Sequence, residues 1–431
     1  MNPANGEETV FAEAQRLPPD ERSAYLDQAT RGDEALRRRV EALLKAYDAG
    51  EFLEEAATPE TRVTPRESIP PAEKVGDRIG RYELLQQIGE GGCGVVYMAE
   101  QEEPVRRRVA VKIIKLGMDT KSVIARFEAE RQALALMDHP NIAKVLDAGA
   151  TETGRPYFVM ELVRGLKITD YCDQARLSTR ARLDLFIQVC KAIQHAHQKG
   201  IIHRDIKPSN VLVSAIDGVL VPKVIDFGIA KATSGQQLTD KTLFTAFEQF
   251  IGTPAYMSPE QAVISNVDVD TRSDVYALGV LLYELLTGRT PFDAKDLLAI
   301  GLDEMRRTIR DTEPPKPSTR VSTLPGDEAS TTARHRGLDA PRLVSELHGD
   351  LDWIVMKALE KDRARRYATA NGLAADVLRH LGNEPVVACP PSRMYRFQKA
   401  VRRNRLAFAT AAAVVAALAI GLGLSLWRFA K

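Results

Sequence analysis

Hydrophobic residues follow two different patterns along this chain. Between residues 82 and 160 they fall in short, β-branched runs that predict strands in YELLQQI, VVYMAEQ, RRVAVKII, AKVLDAGA and PYFVMEL. One stretch among them, 122–137, has the spacing of a helix. After about residue 169 helical spacing dominates, as in ARLDLFIQVCKAIQHAHQKG and SDVYALGVLLYELLTG. The order predicts an α+β fold with a small β-rich lobe followed by a larger helical lobe.

The residues before position 82 predict a separate helical region and a linker. Residues 1–56 have helical character, with one helix beginning near Pro19 and another at Gly32–Asp33. The second helix carries an apolar stripe at helical spacing, formed by Leu36, Val40, Leu43, Leu44 and Tyr47. Such a stripe is typical of a small bundle or of a helix packed on a partner. Residues 57–81 are rich in proline, threonine and charge, which indicates a linker.

Two later segments depart from the pattern of amphipathic helices. Residues 311–347 contain PPKPSTR and many Gly, Asp, Ser and Thr residues, which predicts a long exposed loop. Residues 406–427 carry no charge and are long enough to cross a hydrocarbon core of about 30 Å as a single transmembrane helix. A basic juxtamembrane segment, 382–405, precedes them, so the positive-inside rule places everything before the span in the cytoplasm. The alternative for the apolar run is a buried helix of a soluble domain.

Composition narrows the function classes. The chain has 431 residues, and its 59 Lys and Arg residues nearly balance 58 Asp and Glu residues, which argues against a nucleic-acid-binding protein. Four scattered cysteines form no C-x-x-C pair and indicate neither a zinc site nor a disulfide framework. The polar, acidic N-terminus has no signal-peptide pattern. These features favour a reducing, cytosolic setting for most of the chain.

A glycine-rich string lies between the first two predicted strands. Residues 89–96 read GEGGCGVV and fit G-x-G-x-x-G-x-V, a spacing that lets backbone N–H groups approach phosphate oxygens without side-chain clash. The same string opens dinucleotide-binding folds, but there a helix must follow it. Here β-type residues follow, so the loop is predicted to turn a hairpin and to cover ATP.

A charged pair is predicted beside this loop. Lys112 lies in a strand, and Glu130 lies 18 residues later in the one helix of the lobe. If both side chains point inward, each is a costly buried charge unless the two meet. An ion pair would hold the ammonium group against nucleotide phosphates. Glu128 is the alternative partner, but it falls on a different face of the helix.

The sequence HRDIKPSN, residues 203–210, places an acid, a base and an amide within six residues of one loop. Asp205 can accept the proton of a substrate hydroxyl, and Lys207 can neutralise charge on the γ-phosphate. The amide oxygen of Asn210 is a hard ligand suited to Mg²⁺. Asp226, in D-F-G at the end of the next strand pair, offers a second Mg²⁺ ligand, and Mn²⁺ is an alternative metal.

At this point the chain resembles the eukaryotic-type protein kinase family. The glycine loop, V-A-V-K, H-R-D-x-K-x-x-N, D-F-G and a P-E segment occur in the family's order over residues 82–381. The resemblance implies a two-lobed protein kinase fold in that range. With a cytoplasmic kinase domain, a linker and one span, the layout is similar to that of bacterial membrane-anchored receptor-like Ser/Thr kinases.

The resemblance also implies roles for individual residues. It gives Lys112, Glu130, Asp205 and Lys207 catalytic roles and makes Asn210 and Asp226 metal ligands. Met160 stands at the gatekeeper position, and Glu161 begins the hinge. The implied ATP-binding residues are Ile88, Gly89, Glu90, Gly91, Gly92, Cys93, Gly94, Val96, Ala110, Lys112, Met160, Glu161, Val163 and Leu212.

Further residues of the family pattern are structural or regulatory. Asp274 resembles the buried Asp that braces the catalytic loop, and Glu260 is expected to pair with Arg366, with Arg365 as the alternative. Lys207 and GTPAY, in which Thr253 would bridge Asp205 and Lys207, are the family's Ser/Thr pattern. The activation segment offers Thr242 and Thr245 as candidate autophosphorylation sites.

The expected partners are ATP, proteins with Ser or Thr acceptors, and the membrane through residues 406–427; nucleic acid is not expected and dimerisation is left open. Cys93 at the tip of the glycine loop is either tolerated variation or a redox-sensitive cap. Two other functions compete with the kinase interpretation. One is a pseudokinase scaffold, although the residues whose loss usually marks such proteins are present. The other is a small-molecule kinase, which generally lacks the G-T-P-x-Y…P-E segment.

Overall fold

The structure is a computed structural model with two compact units, Met1–Pro71 and Ala72–Lys431. In the second unit it describes residues 73–91, 94–114, 137–227, 254–262, 269–390 and 392–404. In the first unit it describes residues 10, 14, 17, 19–30, 33, 36–38, 40 and 41. Near the C-terminus the described positions are 408, 410, 414, 416–418, 420, 421 and 427.

The first unit contains the helix predicted at Pro19. Helix α1 spans Pro19–Ala29, and the backbone N–H of Leu36 bonds to the Asp33 carboxylate at 3.0 Å, which caps the start of the next helical stretch. Leu26 and Val40 are buried against each other and Ala14. The predicted stripe therefore packs inward at Leu36 and Val40, whereas Leu43, Leu44 and Tyr47 lie outside the described residues.

The small lobe is an antiparallel sheet, and each of the five predicted runs forms a strand. The strands are β1 (Arg78–Ile79), β2 (Tyr82–Gly91), β3 (Gly94–Gln101), β4 (Arg107–Ile114), β5 (Val145–Ala150) and β6 (Pro156–Glu161), in the order β1-β2-β3-β4-β6-β5. Alternate residues such as Leu84, Val109 and Val111 fill its core. Strand β1 lies within the segment that the sequence indicated as linker. The predicted helix at 122–137 is described only at its last residue.

The larger lobe is mainly helical. Its helices are α2 (Ile168–Gln174), α3 (Thr179–Gln198), α4 (Thr271–Thr287), α5 (Ala294–Ala299), α6 (Leu302–Asp311), α7 (Pro317–Ser322), α8 (Gly326–Arg334), α9 (Ala340–Leu347), α10 (Asp350–Ala358), α11 (Ala370–Leu381) and α12 (Arg393–Arg403). The lobe also contains a small three-stranded sheet, in the order β7 (Leu166–Lys167), β8 (Val211–Ile216) and β9 (Val219–Val224). The α+β prediction is confirmed.

Helix α4 forms the centre of this lobe. It is apolar around most of its circumference, as expected for a helix packed on all sides. The side chain of Asp270 accepts the Arg272 N–H at its start, and Gly288 ends it in the left-handed region with φ of 73°. The Asp270 cap fixes the first turn of α4, which carries Asp274.

The prediction of a long loop at 311–347 is wrong, because helices α7, α8 and α9 occupy most of it. Pro317 stands in the first turn of α7, where it favours a helix, and the Asp339 carboxylate accepts the Arg342 N–H at the start of α9. Each helix buries only a few small or aliphatic side chains. The segment between α8 and α9 is attached to α4 by the buried guanidinium of Arg336. This group donates hydrogen bonds to the carbonyls of Leu286 and Leu285, at 2.5 and 2.9 Å.

Within the part of the chain that the structure describes, no helix has the length and apolarity that crossing a membrane requires. Most residues of the predicted span 406–427 lie outside that part. Several apolar side chains of the run that are described, such as Val414, Leu418 and Ile420, are exposed.

Candidate active site

An apolar cleft lies where the two lobes meet. Its lining comes from β2, β3, β4, β6, β8 and the segments that join the lobes: Ile88, Val96, Ala110, Ala143, Met160, Glu161, Leu162, Val163, Asn210, Leu212, Ile225 and Asp226. Aliphatic side chains form most of the wall, and three side chains on it carry oxygen: Glu161, Asn210 and Asp226. The sequence analysis did not identify Ala143, for which spacing gave no signal, or Ile225, the residue before Asp226.

The glycine-rich string turns a hairpin, as predicted. Gly89 pairs with Val96 and Gly91 with Gly94 across β2 and β3. A side chain at Gly94 would place its Cβ 2.3 Å from the carbonyl oxygen of Ile113, so only glycine fits beside β4. Gly89 and Glu90 lie at the end of β2, whereas Gly92 and Cys93 lie outside the described residues.

Lys112 points from β4 toward the cleft and is mostly buried. Its ammonium group forms an ion pair with the carboxylate of Asp226, 114 positions later in the chain. This pair brings the predicted phosphate-binding lysine next to a predicted metal ligand. Glu130 and Glu128, the expected partners of Lys112, are both outside the described residues.

The loop that follows α3 gathers the other charged groups. Lys207 Nζ lies 2.9 Å from Oδ2 of Asp205. The Asn210 amide donates from Nδ2 to the same carboxylate oxygen at 3.1 Å and to the Asp205 carbonyl at 2.8 Å. Because both contacts require donors, the amide orientation is fixed and Oδ1 faces away from Asp205. The Ser209 hydroxyl donates to Oδ1 of Asn210 at 3.4 Å, so the loop presents an acid, an ammonium group and an amide oxygen side by side.

Asp274, almost fully buried in α4, fixes the backbone of this loop through hydrogen bonds. Its two carboxylate oxygens accept the backbone N–H groups of His203 and Arg204, each at 2.8 Å, and His197 Nε2 lies 2.7 Å from Oδ2. Arg204 has φ of 62°, and Asp226 has φ of 58°, a left-handed conformation that non-glycine residues rarely adopt. The backbone strain therefore lies next to Asp205, the candidate proton acceptor, and at Asp226, a candidate metal ligand.

His203 links the loop to the segment that carries Asp226. Its Nδ1 accepts the Asp205 N–H at 3.3 Å, and its Nε2 lies 3.3 Å from the Ile225 carbonyl, which can only accept. Complete burial lowers the pKa of His203 despite the opposing charges of nearby carboxylates. The ring is therefore neutral with its proton on Nε2. Its ring stacks at a tilt on Phe227, with centroids 4.6 Å apart.

Comparison with known proteins decides the family of this arrangement. The sequence profile of the protein kinase domain matches residues 82–380, more than half of the chain. The chain belongs to the protein kinase family. The β-rich lobe is thus a kinase N-lobe and the helical lobe a kinase C-lobe.

Several bacterial protein kinases are similar in sequence. The serine/threonine-protein kinase PknB of Mycobacterium tuberculosis is 37% identical over 312 residues, which cover 71% of this chain and 44% of PknB. PrkC of Bacillus subtilis is 36% identical over 306 residues, which cover 70% of this chain and 41% of PrkC. This chain therefore matches less than half the length of these curated relatives.

A solved kinase structure shows the same fold. A double mutant of the PknI kinase domain from Mycobacterium tuberculosis superposes with a TM-score of 0.51 at 24% sequence identity, covering 72% of this chain and all of that domain. At that identity the comparison supports the fold and nothing finer.

Among the remaining residues of the kinase pattern, the structure describes the predicted partners of Glu260 but not the predicted threonines. Arg366 donates from both terminal nitrogens to the carboxylate of Glu260, whereas Arg365 is exposed and lies 3.5 Å from Glu360. The family pairing of Glu260 is thus with Arg366. Thr242, Thr245 and Thr253 lie outside the described residues.

Proposed function

We propose that this kinase transfers the γ-phosphoryl group of ATP to Ser and Thr hydroxyls of proteins. The observation that carries the proposal is the convergence of Lys112, Asp205, Asn210 and Asp226 at one apolar cleft, although up to 114 positions separate them. The names of PknB and PrkC, which are serine/threonine-protein kinases, support the same activity.

The residues of the cleft fit both a nucleotide and a metal ion. Adenine suits the apolar part of the cleft lined by Val96, Ala110 and Leu212, and backbone groups of Glu161 and Val163, which line the same cleft, would hydrogen-bond to it. Asn210 Oδ1 and the Asp226 carboxylate are hard oxygen donors of the kind that Mg²⁺ or Mn²⁺ takes. The metal would neutralise negative charge on the phosphates. Lys112 adds an ammonium group at the same end of the slot.

The acceptor hydroxyl would meet Asp205. We propose that this carboxylate accepts the hydroxyl proton as the oxygen forms its bond to the γ-phosphorus and the bond to the β-phosphate oxygen breaks. Asn210 and His203 hold Asp205 in position through the bonds described above. Lys207, 2.9 Å from Asp205, would stabilise charge on the phosphoryl group in transfer.

A labelled-phosphate assay tests the proposal. The full chain, with [γ-³²P]ATP, Mg²⁺ and a generic basic protein, should label Ser and Thr. Asp205→Asn should lower kcat by about 10²–10⁴ because it removes the proton acceptor, while ATP binding is retained. Asp217→Asn, at the exposed turn between β8 and β9, is the control and should keep full activity. A native chain that binds ATP without labelling any protein would instead be a pseudokinase.

Regulation is proposed on residues outside the described part of the chain. Phosphate on Thr242 or Thr245 would pair with the arginine of the catalytic loop, Arg204. Mass spectrometry of active protein should therefore find one of these threonines modified. Oxidation of Cys93 would block the nucleotide loop, and peroxide should then lower activity in the native chain but not in Cys93→Ser.

We also propose that residues 406–427 anchor the kinase in a membrane with the kinase domain in the cytoplasm. Twenty-two uncharged residues follow a basic flank, which supports a single span with that orientation. Membrane fractionation should recover the full chain in the membrane pellet and a chain lacking 406–431 in the supernatant. Recovery of both in the supernatant would favour an ordinary hydrophobic helix.

A further inference from the structure

The segment after the kinase domain is docked on the C-lobe. The Asp376 carboxylate, fully buried in α11, accepts the backbone N–H groups of Val387 and Ala388 at 2.8 and 2.9 Å. The chain then enters α12, in which the Ser392 hydroxyl accepts the Tyr395 N–H at 3.3 Å. Residues 386–390 and 392–403 are therefore part of the folded lobe, although they follow the matched kinase domain.

The inner face of α12 is held by a buried carboxylate. Asp350 of α10 forms an ion pair with Lys399, accepts the Tyr395 hydroxyl at 2.8 Å and lies 3.0 Å from His380 Nδ1. Tyr395 also meets Trp353 edge to face, with ring centroids 5.5 Å apart. These contacts fix the rotation of α12 about its own axis. They determine which of its side chains face away from the lobe.

The outward side chains are apolar and basic. Met394 and Phe397, at i and i+3, are 65% and 57% exposed, and Phe397 meets Phe408 edge to face at 5.8 Å. Exposed arginines flank them at positions 393, 396 and 402, whereas Arg403, also exposed, lies 3.6 Å from Glu384. An exposed apolar stripe bordered by arginines is typical of a helix that lies in the interface of an anionic bilayer.

The position of α12 in the chain supports a lipid partner. No acidic residue occurs from position 385 to 431, so nothing repels anionic headgroups along this stretch. Helix α12 ends at Arg403, and the next residue, Asn404, has a non-helical backbone with φ of −115° and ψ of 46°, two residues before the uncharged run begins at Leu406. The axis of α12 therefore need not continue into the run, and the helix can lie along a membrane surface.

From these contacts we infer that the outer face of α12 binds the headgroup region of an anionic lipid bilayer while its inner face stays on the C-lobe. The kinase domain is then held against the membrane by a fixed contact and not by a flexible tether. The inference rests on the proposed anchoring by residues 406–427. It differs from that proposal in assigning lipid contact to side chains outside the span.

Fluorescence quenching in nanodiscs tests the inference on the full chain. Phe397→Trp is made in a Trp427→Phe background, and its emission is compared in discs with brominated and ordinary acyl chains after subtraction of the background chain. We expect loss of most of the added emission in phosphatidylcholine–phosphatidylglycerol discs, and little loss in phosphatidylcholine alone or at high salt. Leu378→Trp, at a half-exposed position of α11 outside the stripe, should show no quenching in either lipid.

The outcomes separate the two proposals. A chain that does not enter discs at all overturns both the span and the lipid contact. A chain that enters discs but leaves the tryptophan at position 397 unquenched overturns the lipid contact alone. Equal quenching with and without anionic lipid overturns the assignment to anionic headgroups. A blue shift without quenching, seen only in discs with two chains, would show that a second copy covers this face.

Discussion

Arg366 donates two parallel hydrogen bonds, each 2.7 Å long, to the carboxylate of Glu260, 106 positions earlier in the chain. The Ser273 hydroxyl donates a third bond to Glu260 at 2.6 Å, and both charged side chains are nearly inaccessible to solvent. Burial would raise the pKa of Glu260, but the bonds and charge of Arg366 outweigh burial and lower it. The carboxylate is therefore ionised, and Arg366 supplies its counter-charge.

Removing that partner should destabilise the C-lobe strongly. Arg366→Ala is expected to lower the free energy of unfolding by about 3–5 kcal/mol, because it leaves a buried carboxylate without its counter-charge. Arg365→Ala is the matched control, since that side chain is exposed and its ion pair is long, and should change stability by less than about 1 kcal/mol. Urea unfolding of both variants measures the difference. Equal losses would contradict the assignment of the partner.

Two glycines of the nucleotide loop should respond differently to the same substitution. A methyl group at Gly94 would lie 2.3 Å from the Ile113 carbonyl oxygen, whereas nothing lies within 4 Å of one at Gly91. Gly94→Ala must push β3 away from β4 and should cost about 1–3 kcal/mol of stability, with weaker ATP binding. Gly91→Ala should fold with nearly native stability. Thermal unfolding and nucleotide titration check both; similar behaviour of the two variants would contradict the steric argument.

Residues that act through local motifs could be predicted from the sequence. The nucleotide hairpin, the loop around Asp205 and the position of Asp226 depend on short, ordered strings, and the strand pattern placed Lys112 on the correct element. Contacts that depend on one distant partner could not be predicted. The pairing of Lys112 with Asp226 and the support of Asn210 by Asp205 require the folded chain, because spacing does not specify which charges meet.

The composition of residues 311–347 indicated a loop, but the segment forms three helices. Its helices are only six to nine residues long, and each buries too few apolar residues for the helical period to repeat. Their packing depends on Arg336, whose guanidinium satisfies carbonyl groups at the end of α4. The sequence alone does not distinguish a buried arginine that bonds to carbonyl groups from an arginine exposed to solvent.

Glu284 should give the protein a pH-dependent stability near neutrality. It lies in α4 and accepts the Tyr256 hydroxyl; burial, followed by the carboxylates of Asp173 and Asp170, raises its pKa to about 7 from the ordinary 4.5. A carboxyl group that binds its proton more tightly in the folded protein costs stability as pH rises between those two values. The free energy of unfolding should therefore fall from about pH 5 to pH 7.

Glu284→Gln isolates this effect. The variant should lose the fall in stability and, at pH 8, should exceed the native chain by roughly 1–3 kcal/mol, because it no longer buries a charge. Glu346→Gln, at an exposed position of α9, should keep the native pH profile. Chemical unfolding at a series of pH values provides the measurement. An unchanged profile in Glu284→Gln would assign the pH dependence to another group.

The ion pair of Asp350 with Lys399 should account for the docking of α12, which a double-mutant cycle can measure. Burial opposes ionisation of Asp350, but the bonds from His380, Lys399 and Tyr395 lower its pKa to about 2. Its contribution is therefore present above about pH 4 and lost as pH falls toward 2. Asp350→Asn should cost about 3–5 kcal/mol at neutral pH, since it leaves the Lys399 ammonium buried and unpaired.

Lys399→Met completes the cycle with the double variant. Because each single change already breaks the pair, the double variant should cost less than the sum of the two, with a coupling energy of about 1–3 kcal/mol. Arg403 and Glu384, 3.6 Å apart and half exposed, are the control pair and should couple by less than about 1 kcal/mol. Hydrogen exchange should speed up across α12 in Asp350→Asn and stay native in Glu384→Gln. Unchanged protection in both would mean that the apolar contact of Trp353 with Tyr395 holds the helix without the ion pair.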